Sequence, residues 1–166
     1  MNNYLKDISL GISVGDPPIF IQWGTNKNEI LENLRKIGIL EAGGNHCIVK
    51  VNLFNDFESY PLFMFDNMKL SKIILLREEG IRDGYHLYDH ESYHKNPEDI
   101  RIAFLERQAS LERYFGRPSL QSPIISYFAR ANKGDKKYKW RFRNITIVHS
   151  MWDRFGMEEE VTIHIK

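Results

Sequence analysis

The sequence predicts an α+β protein of two helix-plus-antiparallel-meander units, with the helices packed on one face of a mostly antiparallel sheet. Two stretches, residues 26–37 and Asn96 to Gly116, combine helical apolar spacing with start and stop signals. After each come runs whose apolar residues recur with a period of two, the repeat of a half-buried strand. A pattern also echoes along the chain: Leu70-Ser71-Lys72-Ile73-Ile74-Leu75-Leu76 and Phe142-Arg143-Asn144-Ile145-Thr146-Ile147-Val148 place apolar and polar residues alike. Together these predict a single domain over residues 1–166, built of two pseudo-repeats at about 1–80 and 96–166. A polar, Tyr/His-rich junction joins them.

Gly11-Ile12-Ser13-Val14-Gly15-Asp16 lacks the Lys-Ser/Thr ending of a phosphate loop and reads as a turn, as does Gly43-Gly44. Ile19 to Trp23 follows Asp16-Pro17-Pro18 and stops at Gly24, a strand and then a break. Helix 26–37 begins where the side-chain oxygen of Thr25 or Asn26 can take up a free backbone N–H, with Asn28 or Glu29 completing the exchange. Ile30, Leu31, Leu34 and Ile37 form its apolar stripe, and Gly38 supplies the left-handed residue that closes it. Cys47 to Leu53, Tyr60 to Phe65 and Lys69 to Arg77 read as three strands, with Asp66-Asn67 as a tight turn.

The second helix has Asn96 as cap, Pro97 where a missing N–H is harmless, and Glu98 and Asp99 beside the positive end of the helix dipole. Ile100, Ala103, Phe104, Leu111 and Tyr114 continue one face until Gly116-Arg117-Pro118. Ile124 to Arg130, a turn at Asn132 to Asp135, Tyr138 to His149 and Glu159 to Ile165 then read as three more strands. Tyr138, Trp140 and Phe142 are out of phase with Ile145 and Ile147, which predicts a bulge near Arg143-Asn144, and the same slip separates Leu70 from Ile73.

A chain of 166 residues buries about 70% of its unfolded surface. With 42% hydrophobic and 27% charged residues it is globular in composition, and its formal charge of +1 makes no global case for a nucleic-acid, membrane-surface or polyanion partner. The single cysteine, Cys47, excludes an internal disulfide and a multi-Cys zinc site, and it reads as a small buried hydrophobe in a strand. The sequence shows neither a signal peptide nor an apolar run of the ~20 residues that a membrane span needs, so a soluble, cytoplasmic protein is expected.

His86, His90 and His94 are four apart, so a helix would stack three imidazoles on one face and could hold a transition metal with Asp83 or Asp89. Gly84 and the surrounding tyrosines favour a polar loop instead, and no metal or other cofactor is expected. His149 and His164 fall on adjacent expected strands and read as a polar pair across the solvent face, without a nucleophile signalled beside them. Alternation puts Lys137, Lys139, Arg141 and Arg143 opposite Tyr138, Trp140 and Phe142. Single-stranded nucleic acid would need cations and aromatics on the same face, so a solvated basic face neutralised by Glu158 to Glu160 is expected.

Ile21-x-Trp23-Gly24-Thr25-x-x-x-Glu29-Ile30-x-x-x-Leu34-x-x-x-Gly38 resembles the helix entry of small helix-plus-meander modules typified by β-lactamase inhibitory protein and BamE-like lipoproteins. The second half has Asn96-Pro97-Glu98-Asp99 in place of that entry, and no lipoprotein cysteine lies near the N-terminus, which disfavours a lipidated envelope role. The resemblance implies a tandem module whose sheet serves as a binding surface. It is also similar to the small cytosolic α+β chains common among bacterial toxin-immunity proteins and inhibitors.

With no catalytic set in the sequence, the expected function is non-enzymatic: an immunity protein or inhibitor that neutralises a toxin or enzyme by direct binding, its partner another protein. Aromatic loops between rigid elements are the expected contacts, namely Tyr85, His86, Tyr88, His90 and Tyr93 of the junction with Trp152 and Arg154 of the last connection. The alternatives are a small metal-dependent enzyme using His86, His90 and His94, or nucleic-acid binding through the basic strand 137–143. No membrane partner is expected, and the sequence points to no particular oligomeric state.

Overall fold

Each helix is followed by four strands that pair in chain order, and the two meanders meet at their last strands. The computed structural model describes residues 8–15, 17–49, 51, 60–76, 97–122, 136–153 and 157–166. The first half holds β1 (Gly11–Val14), β2 (Ile19–Gln22), α1 (Lys27–Arg35), β3 (Ile39–Ala42), β4 (His46–Val49), β5 (Tyr60–Asp66) and β6 (Lys69–Leu76). The second holds α2 (Pro97–Phe115), β7 (Leu120–Ser122), β8 (Lys136–Arg141), β9 (Ile145–Asp153) and β10 (Met157–Ile165). β1 and β2 form a two-stranded sheet, and the others form one eight-stranded sheet in the order β3-β4-β5-β6-β10-β9-β8-β7. Every pairing in it is antiparallel.

Local chemistry explains the boundaries. Asn26 caps α1 by accepting the Asn28 N–H at 3.0 Å, and Gly38 follows at φ 97°, where a side chain would be strained. β5 and β6 are joined by Asn67 and Met68, both at positive φ (47° and 64°), the two-residue turn whose twist matches antiparallel strands. The turn lies one residue later than Asp66-Asn67, because Asp66 still pairs with Lys69. Met68 then accepts the Lys27 N–H at 2.8 Å, docking the start of α1 on this hairpin.

Three expectations are corrected. Gly11 to Val14 is a strand paired with β2, not a turn, so Ile12 and Val14 are buried. Ile39–Ala42 and Leu120–Ser122 are short strands that the expected three-strand meanders omitted. Tyr138 to His149 is a hairpin, not one bulged strand: Arg141 pairs with Thr146, and the Phe142 N–H donates to the Ile145 carbonyl at 3.0 Å across the loop Arg143-Asn144. The slip between Leu70 and Ile73 is a true bulge. Met64 pairs with Lys72 and Phe65 with Leu70, leaving Ser71 unpaired in β6 with its hydroxyl donating to the Met64 carbonyl at 3.1 Å. The echoing patterns therefore lie on unlike strands, since the counterpart of β6 in the strand order is β10, not β9. Ile124 to Arg130 and Asn132 to Asp135 lie outside the described residues.

The register lines Cys47, Phe63, Ile73, Ile163, Ile147 and Trp140 across six strands, and all are buried. Ile30 and Leu34 of α1 and Leu111 and Phe115 of α2 belong to the same apolar cluster, so both helices cover this one face. The Phe115 ring meets Trp140 edge-on at 6.1 Å, and the Trp140 indole N–H donates to the Gly116 carbonyl at 2.8 Å. Burying the indole is thus compatible with satisfying its donor. Ile163 sits between β6 and β9 with no exposed surface. In urea denaturation, Ile163→Ala is expected to cost about 2–5 kcal/mol, whereas Leu120→Ala on the exposed side of β7 should change stability by no more than about 0.5 kcal/mol.

Candidate functional site

The face of the sheet turned away from the core carries the alternate residues. Lys137, Lys139 and Arg141 on β8 stand opposite Ser150, Val148 and Thr146 on β9, and these stand opposite Glu160, Thr162 and His164 on β10. Thr162 and His164 in turn face Ile74 and Lys72 on β6. Lys137, Arg141 and His164 are exposed; Lys139, Thr146 and Lys72 are half-buried. Alternate residues on a strand are about 7 Å apart and neighbouring strands about 4.8 Å apart, so these cations share one corner of the sheet.

The alternation expected for β8 holds for three of its cations, but Arg143 lies in the hairpin loop and not on the strand. Tyr138 and Trp140 belong to the helix-covered face, where Tyr138 packs 5.9 Å from Phe104. The expected neutralisation by Glu158 to Glu160 is also corrected, because β9 lies between β8 and β10. Glu160 approaches Lys72 on the other side at 3.9 Å. Glu159 is turned into the core.

His164 records the field of this corner. Partial burial, and then Lys72, Lys139 and Lys137, push its pKa below the ordinary 6.5, so the ring is neutral at neutral pH. Its Nε2 lies 3.1 Å from the Thr162 hydroxyl.

His149 and His164 do not pair. His149 is opposite Val161 while His164 is opposite Thr146, which puts the two imidazoles on opposite faces. His149 instead lies under α2, stacked on Phe104 at 4.1 Å with no exposed surface. Its Nδ1 is 2.8 Å from the Gln108 oxygen, whose orientation follows from the Gln108 amide donating to Glu112 at 2.7 Å. Nδ1 therefore carries a hydrogen. Nε2 lies 2.8 Å from Glu159 Oε1, and the Arg107 guanidinium is 3.5 Å from the same oxygen and donates to the Leu75 carbonyl at 3.4 Å. The cluster ties α2 to β6, β9 and β10 as a buried polar clamp. The sequence reading missed it because Arg107 and Gln108 are polar, although Gln108 occupies the helical position between Phe104 and Leu111 and Phe115 that an apolar stripe would fill.

Of the contact residues expected from sequence, Trp152 lies on β9 with its backbone paired to Glu158. Tyr85, His86, Tyr88, His90, Tyr93 and Arg154 lie outside the described residues, as does His94 of the possible metal cluster. Cys47 is fully buried, and burial pushes its thiol up to about 11 against the opposing pull of Lys27, so it is an inert core residue. Among the described residues no group of three or more His, Cys, Asp or Glu is arranged to hold a metal ion, and no helix is long and apolar enough to cross a membrane. No known protein family, curated protein or solved structure matches this chain.

The lowered pKa of His164 has a sign. Protonation favours the unfolded chain, where the imidazole regains its ordinary value, so this contribution to stability is complete above pH 6.5 and is lost as pH falls toward the depressed folded-state value. In urea titrations at stepped pH, the wild type is expected to lose more stability on acidification than His164→Gln. Equal losses would show that neither burial nor the lysines depress the ring's pKa in the fold.

Proposed function

We propose that this chain is a non-enzymatic protein-binding module that neutralises a toxin or enzyme by direct binding, in the manner of bacterial immunity proteins and inhibitors, and that the face of the sheet turned away from the described helices, hereafter the helix-free face, is its contact surface. The observation that carries the reading is the placement of the charges: the two described helices share a core with one face, while on the other Lys137, Arg141 and His164 are exposed around a row in which Ile48, Leu62, Thr162 and Val148 are buried. Eight strands make seven inter-strand steps, about 34 Å across; β5, β6, β8, β9 and β10, of six to nine residues, run about 20–30 Å, while β3, β4 and β7 have three or four residues each. A platform of that size can supply the ~800 Å² per partner that a stable protein complex buries.

A sheet is a favourable platform for binding without chemistry. Its backbone groups are already paired and its side chains are spaced by the ladder, so little conformational freedom is lost when a partner docks. Trp152, whose backbone lies on β9, would add to the contact, and Arg154, Tyr85, His86, Tyr88, His90 and Tyr93 remain the contacts expected from the sequence. Capture by surface contact needs no substrate-sized cleft, metal or nucleophile. The metal-dependent alternative rests on His86, His90 and His94, and none of the described side chains adds to it.

Co-expression of the chain with each product of its neighbouring genes tests this reading. One product is expected to be toxic alone, harmless in the presence of the chain and recovered in a stoichiometric complex. Replacing Thr146 and Ser150 by the bulky, uncharged Trp in the middle of the face should weaken that complex by roughly tenfold or more, as disrupting a central interface region does. Neighbouring products that are all non-toxic and unbound would contradict the assignment.

A further inference from the structure

Resting on that reading of the helix-free face, we propose that the partner is a protein presenting a carboxylate-rich patch, and that the corner formed by Lys137, Lys139, Arg141 and Lys72 receives it. Glu160 lies on this face, 3.9 Å from Lys72, and Glu158, opposite Trp152, holds the next register position of the same phase on β10. Lys137, Lys139 and Arg141 occupy successive outward positions of one strand, with Lys72 two strands beyond β9 in the same sheet. Like charges on neighbouring positions of a sheet repel, and their field is strong enough to help hold His164 neutral. An opposing acidic surface converts that repulsion into attraction and steers encounter.

Two simpler uses of the lysines fit less well. Lysines protect exposed sheet edges from unwanted pairing, but β8 is interior to the sheet, with Leu120, Gln121 and Ser122 of β7 paired to Lys139, Tyr138 and Lys137. Single-stranded nucleic acid stacks on aromatics set among the cations, and the aromatics of β8 cannot serve: Trp140 is buried on the other face and Tyr138 packs against Phe104.

His164 gives the contact a second signature. It is faced by Lys72 from β6, by Lys137, Lys139 and Arg141 from β8, and by Glu160 from its own strand, while its β9 neighbours Thr146 and Val148 are uncharged. Carboxylates brought by the partner favour the protonated ring, so docking takes up a proton. Affinity therefore rises as pH falls through the histidine range, where aspartates remain ionised.

The test uses the full chain and a dye-labelled poly-aspartate peptide of about 20 residues, followed by fluorescence anisotropy, with an oligothymidylate of equal charge as comparator. Binding is expected to weaken roughly tenfold in K137Q/K139Q/R141Q, and also between about 50 and about 300 mM NaCl, where screening shortens the reach of exposed charges. The remote Lys36→Gln should leave it unchanged. On going from about pH 7.5 to about pH 5.5, wild type should bind more tightly and His164→Gln should show no such gain. Tighter binding of oligothymidylate than of poly-aspartate, lost in the same triple variant, would overturn the proposal in favour of nucleic acid. Poly-aspartate binding indifferent to the triple variant would overturn it as well. A complex with a neighbouring gene product that is lost with Thr146 and Ser150 changed to Trp, yet survives K137Q/K139Q/R141Q, would keep the binding face and sink the acidic partner.

Discussion

The antiparallel ladder between β6 and β10 is the constraint on which the rest of the structure depends, because it joins two four-strand meanders that are otherwise far apart in the sheet. Leu75, Ile74, Ile73 and Lys72 stand opposite Val161, Thr162, Ile163 and His164. That register puts Ile73, Leu75, Val161 and Ile163 into the core beneath the helices. It leaves Lys72 and His164 on the opposite face. A slip of one residue would exchange the two sets, exposing isoleucines and burying a lysine, so the hydrophobic core and the cationic corner are fixed by the same alignment.

The buried polar clamp follows from that ladder. Glu159 is two residues before Val161, so the strand that aligns the core also carries a carboxylate under α2, where Arg107 and His149 meet it. Buried charges without partners are strongly destabilising, whereas this carboxylate is shared by a guanidinium and an imidazole whose other nitrogen is held by Gln108. The clamp gives α2 a specific seat on the sheet that apolar packing alone would leave less defined. One helix face and one sheet face are consumed in this way, and the other sheet face keeps its charges.

Much of this fold was legible in local chemistry. Asn26 and Gly38 mark α1 because capping and left-handed closure depend on single residues, and alternation in β8 separates Lys137, Lys139 and Arg141 from Tyr138 and Trp140. What escaped depends on distant partners. Gly11 to Val14 looks like a glycine turn until β2 lies beside it, and Ile39–Ala42 is too short to show a period. The turn at Arg143-Asn144 lacks glycine, so a reversal of direction looked like a bulge. The cationic corner was visible on one strand, but Lys72 and His164 join it only through the pairing of β6 with β10, which no local pattern encodes. His149 was placed in a surface pair for the same reason: its seat is set by α2, 41 residues away at Gln108.

Amide hydrogen exchange of the full chain, resolved by peptide, tests the central claim most directly. If the β6–β10 ladder makes the two meanders one cooperative platform, amides of Lys72 to Leu75 and Val161 to His164 will exchange together, at the rate of global unfolding, and among the slowest in the chain. Exchange of one meander at a markedly lower opening free energy, with the other still protected, would contradict it.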